Sequence, residues 1–96
     1  MNGTREIYRQ FMIGQMQLWE DKIAHLRAGL RTLDGVSRYE YEVRLRELDR
    51  LNQRVFGRYT DLLLASDREW EDRRRELDAA AYRLQEMFQL FTLQPH

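Results

Sequence analysis

Apolar residues recur along this chain at alternating spacings of three and four, and no proline interrupts them before Pro95. A spacing averaging close to 3.6 places side chains on one face of a helix, whereas a strand would need strict alternation. Proline inside a helix removes a hydrogen bond and clashes with the preceding turn, so its absence from the interior leaves long helices free to form. The pattern therefore predicts an all-α chain.

Three helical segments are predicted, and together they make one helical domain over residues 1–96. The first runs from about Thr4 to Leu33, with Met12, Met16, Trp19, Ile23, Leu26, Leu30 and Leu33 as its seam. The second runs from about Ser37 to Ala65, with Tyr41, Leu45, Leu48, Asn52, Val55, Tyr59 and Leu62 in line and Leu51, Phe56 and Leu63 widening the face. The third runs from about Asp67 to Thr92, where Trp70, Leu77, Leu84 and Phe91 recur every seven residues with Ala81 and Phe88 between them. Such seams suit coiled-coil-like packing. Asp34-Gly35 is a turn pair, and Ser37 with Glu40 has the spacing of a capping box. Ser66 with Glu69 has the same spacing at the second joint. Similar lengths and short joints predict an antiparallel three-helix bundle. If the helix absorbs the first joint as a stutter, the alternative is a long two-helix hairpin that dimerises.

Composition narrows the function. The chain has no cysteine, which removes disulfides, thiolate nucleophiles and Cys-based metal sites. Its polar start lacks a secretory layout, and no run approaches the roughly 20 apolar residues of a membrane span. A cytoplasmic location is expected. Sixteen cations and sixteen acids cancel, which argues against nucleic-acid binding. Fifteen of those cations are Arg, a residue suited to interface ion pairs, and the single Lys is Lys22.

Trp19, Ile23, Leu26 and Ala28, then Tyr41, Leu45 and Leu48, then Tyr59, Leu62, Ala65, Ser66 and Trp70 lie at spacings that resemble one family. It is the small bacterial coiled-coil proteins of cyanobacteria and proteobacteria described as stress-response proteins. The likeness covers about Trp19 to Leu84, and its more specific part is the two Trp residues with Ala-Ser before the second. This chain is richer in Arg than those proteins, has a glycine at position 35, and carries Arg73, Arg74 and Glu76 where they tend to have Leu, Lys and Gly. The resemblance implies an all-helical, non-enzymatic protein with a stress-related role and supplies no catalytic residue.

The residues themselves offer no catalytic machinery. His25 has Asp21 four positions before it, and the other histidine is His96. A carboxylate–histidine pair without a nucleophile is not a catalytic set. No Glu-x-x-His motif is present to hold a metal in a bundle core, and the scattered glycines make no phosphate loop. No enzyme activity, cofactor or metal is expected.

Two surfaces are candidates for binding. Arg46, Arg50, Arg54 and Arg58 repeat every four residues and share a helix face, either as a contact for an acidic partner or as a solvated stripe. Arg73-Arg74-Arg75 reads instead as helix support, through Glu69–Arg73 and Glu71–Arg75 pairs. The second surface is apolar. Phe11, Met12, Leu18 and Trp19 near one end, and Phe88, Leu90, Phe91 and Leu93 near the other, spread over more than one helix face. A helix apolar on several faces meets more than one neighbour. Of these, Phe11, Leu18, Leu90 and Leu93 lie off the seams and are expected to stay exposed. The expected function is a helical interaction or scaffolding protein, binding a protein partner or itself as a homo-oligomer. The alternative is an amphipathic protein of the membrane surface, which the balanced charges disfavour.

Overall fold

The computed structural model describes residues 2–93 of the chain, and the side chains of residues 3–91. Helix α1 spans Asn2–Ala28, α2 spans Gly35–Leu63 and α3 spans Trp70–Leu93, so that 91% of the described residues are helical and none is in a strand. The three pack side by side as an up-down-up bundle measuring 53 × 20 × 18 Å. The 29 residues of α2 would extend about 44 Å at 1.5 Å each, so the bundle is scarcely longer than its central helix.

The seams converge on one core. Met12, Trp19 and Ile23 come from α1, Leu45, Leu48, Val55 and Leu62 from α2, and Trp70, Leu77, Leu84, Phe88 and Phe91 from α3. Tyr41, Leu51, Tyr59 and Ala80 complete the buried set. Phe56 and Leu63, expected to widen the α2 face, are instead exposed.

Helix α1 ends at Ala28, just before Gly29 and five residues earlier than the periodicity predicts. From Gly29 to Thr32 the backbone tightens to a 3-10 turn, with the Thr32 hydroxyl donating to the Gly29 carbonyl at 2.9 Å. The Tyr41 hydroxyl donates to the Leu26 carbonyl at 2.8 Å, which satisfies a group left over at the helix end. A Cβ at position 29 would sit 3.0 Å from that hydroxyl, so the close approach of Tyr41 favours glycine there. The chain then extends through Leu33 and Asp34 and turns at Gly35, whose φ is +60°.

Helix α2 begins at that glycine, where the Asp34 carbonyl already accepts from the Arg38 amide at 3.2 Å. Ser37 is thus inside the first turn, and the expected Ser37–Glu40 capping box does not form. The joint is a true turn and the dimerising hairpin is ruled out. Gly35→Ala should therefore destabilise the protein by about 1–2 kcal/mol, the cost of left-handed backbone for an L-residue. A fall in urea midpoint at unchanged slope would show this, and a rise would mean that the turn relaxes.

The second joint behaves as its sequence suggests. The Ser66 hydroxyl donates to Glu69 Oε1 at 2.8 Å, and the Glu69 amide donates back to Ser66 Oγ at 3.3 Å. Hydrogen bonds from the Ser66 side chain and amide hold the Glu69 carboxyl below its ordinary pKa. The expected Glu69–Arg73 pair is present at 3.5 Å. Glu71 pairs with Arg74 rather than with Arg75, which takes Asp72. Here the i,i+3 neighbours lie closer than the i,i+4 ones.

Candidate functional site

Helices α1 and α3 run parallel, and their backbones stay apart. Among the described residues no Cα of α1 comes within 8 Å of one in α3. Long side chains bridge the gap. The Tyr8 hydroxyl donates to Asp78 Oδ1 at 2.5 Å, and the Tyr8 ring meets Trp70 edge-on at 5.8 Å. Burial first, and then the Asp78 hydrogen bond, push the Tyr8 hydroxyl well above its usual pKa. Arg5 pairs with Asp67 at 2.6 Å and lies 5.0 Å over Trp70. Farther along, the Lys22 ammonium sits 5.6 Å from the Phe88 ring centroid.

Between these bridges the valley is open. A groove of about 580 Å³ is bordered by Gln15, Leu18, Trp19, Lys22, Gln85, Phe88 and Gln89. A second hollow of about 330 Å³ shares Lys22 and Phe88 and continues to Asp21, His25 and Leu26.

The expected apolar surface divides in two. Met12, Trp19, Phe88 and Phe91 are buried in the core, so their part in a partner-binding surface is corrected: they join the helices of one chain together. Phe91 packs edge-on against Tyr41 at 4.8 Å. Phe11, Leu18 and Leu90 are exposed, at 59%, 46% and 53%. The side chain of Leu93 lies outside the described residues. Ile7, apolar in the sequence, and Gly14 join Phe11 and Leu18. Ile7, Phe11, Gly14 and Leu18 are spaced 4, 3 and 4, so they form one stripe along α1, and Ile7 is also exposed. On α3, Asp78, Tyr82, Gln85 and Gln89 have the same spacing, with Tyr82 exposed. The period was readable in both cases, and the predicted antiparallel three-helix bundle already made α1 parallel to α3; which faces of the two helices lie together was not readable.

This face is poor in charge. Ten consecutive residues, Gln10 to Trp19, carry none, in a chain that is 33% charged. Interface centres are typically depleted in charge and enriched in aromatic side chains.

The arginine stripe is less uniform than its spacing implies. Arg50 pairs with Glu47 at 2.6 Å, and Arg58 reaches Asp61 at 3.5 Å and Glu76 at 3.7 Å. Arg46 and Arg54 have no ion pair among the described residues, and Arg46 borders a hollow that also contains Glu42 and Asp49. Half of the expected acidic-partner face is thus neutralised within the chain. His25 and Asp21 are both exposed, with no bond between them. Among the described residues no cluster of three metal-ligating side chains occurs, and no helix is long and apolar enough to cross a membrane. No family model, curated protein or solved structure matches this chain.

Proposed function

We propose that this chain is a non-enzymatic helical interaction protein that associates with itself through the charge-poor face formed by α1 beside α3. The supporting observation is the exposure of Ile7, Phe11 and Leu18 together on one stripe of α1 that carries no charge. Exposed apolar residues gathered on one face mark interaction sites, whereas scattered ones are ordinary. Among the described residues the core is formed without these side chains.

A cytoplasmic setting and a stress-related role belong to the same proposal. They rest on the cysteine-free composition and on the likeness of the Trp19–Leu84 seams to the bacterial stress-response coiled coils. Lipid-surface helices flank their apolar face with cations. Among the described residues Lys22 is the one cation bordering the groove, which favours a protein over a membrane. Light scattering tests the reading. The mass should rise reversibly above the 11.8 kDa of one chain as concentration increases. A constant monomer mass into the high micromolar range would refute it.

A further inference from the structure

The α1 stripe can pair with a second copy of itself. The midpoint of Phe11 and Leu18 falls between Gly14 and Gln15, at the one position of the stripe without a side chain. A two-fold axis through that midpoint would lay α1 of a second copy antiparallel on the first, placing Phe11 of each on Leu18 of the other. The same operation sets Ile7 against the aliphatic stem of Lys22. Closed two-fold contacts of this kind need a self-complementary patch.

Gly14 fits this arrangement and is otherwise unexplained. It lies in the middle of a 27-residue helix, where glycine is destabilising, and among the described residues nothing beyond its chain neighbours and its own helix backbone lies within 4 Å of the place its Cβ would occupy. A missing side chain at a helix crossing lets two backbones approach closely. Gly57 of α2 also faces open space, but its neighbours one turn away include Arg54 and Asp61. The neighbours of Gly14 one turn away are Gln10, Phe11, Gln17 and Leu18, all uncharged.

Charge and area both favour a second copy. A charge-poor face on a chain of zero net charge meets little repulsion from its like. The amides of Gln15, Gln85 and Gln89 along the groove both donate and accept, so identical groups can pair across the axis. From Ile7 to Lys22 the stripe is about 24 Å long. Across a bundle 20 Å wide this gives on the order of 500 Å² per copy, or about 1,000 Å² in total. That size belongs to weak, reversible contacts rather than obligate ones.

We infer that the protein forms a weak two-fold dimer in which α1 packs antiparallel on α1 of a second copy, crossing at Gly14. This rests on the self-association proposed above and adds its geometry. The chain has no cysteine, so single introduced thiols report on proximity without background. Disulfides require Cα atoms about 4.4–6.8 Å apart. Under mild oxidation at a concentration where the wild type associates, Gly14→Cys should become mostly covalent dimer. Phe56→Cys, on an exposed position of α2, should cross-link at least about tenfold more slowly. Equal rates, or faster cross-linking at 56, would overturn the geometry while leaving self-association standing; a wild type that never associates would remove both. Gly14→Ala gives an independent readout. It should raise the melting temperature and weaken association together, because the added methyl favours the helix and obstructs the crossing. A variant that associates as well as the wild type would contradict the crossing point.

Discussion

Trp19→Ala is expected to lower the stability of the fold by about 3–5 kcal/mol, the range for emptying a large aromatic site. Trp19 is 3% exposed and shares the α1–α3 groove with Phe88. The loss should fall unevenly. Helix α1 has no close backbone approach to α3 and depends on a few large side chains, chiefly Met12, Trp19 and Ile23. Helix α2, by contrast, buries seven residues along its length. Amides of α1 should therefore lose hydrogen-exchange protection before those of α2 and α3. The melting temperature should fall by roughly 4–8 °C for each kcal/mol lost. Uniform loss of protection across all three helices would show that the bundle opens as one unit.

Phe11→Ser combined with Leu18→Ser should have the largest effect on association and almost none on the fold. Full burial of such a side chain is worth about 1.5–3 kcal/mol. Both are already about half-exposed in the monomer, so an interface can recover only about half of that from each. A two-fold contact counts every substitution twice. The sum is about 3–6 kcal/mol, which at 1.4 kcal/mol per decade weakens the dimer by at least about 100-fold. Circular dichroism should stay near wild type, since Met12, Trp19 and Ile23 keep their places in the core. Unfolding of the double variant would instead make the two residues part of the core.

The buried seam was legible because it depends on spacing alone. Leu48, Leu77 and Leu84 are fully enclosed where the heptad positions put them. The Ser66–Glu69 cap was legible for a similar reason, since it is made within four residues. The early end of α1 was not, because Gly29 acquires its role only when Tyr41, twelve residues on, folds back to cap Leu26. The Ser37–Glu40 motif misled because the Asp34 carbonyl, turned at Gly35, reaches the Arg38 amide first. The candidate surface was half legible. Departure from the seam identified Phe11, Leu18 and Leu90 as exposed, yet Met12, Trp19, Phe88 and Phe91 were grouped with them although their own heptad positions place them inside. Gly14 and Tyr82 carry no signal until α1 and α3 are seen to run side by side.

Sedimentation equilibrium of the wild type beside the Phe11→Ser, Leu18→Ser variant tests self-association through this face most directly. For a micromolar dissociation constant, samples from about 1 μM to about 500 μM cover the transition. The wild type should pass reversibly from 11.8 kDa toward twice that mass, while the variant stays monomeric and fully helical. A wild type that remains at 11.8 kDa throughout, or a helical variant that dimerises as well as the wild type, would contradict the assignment of this face.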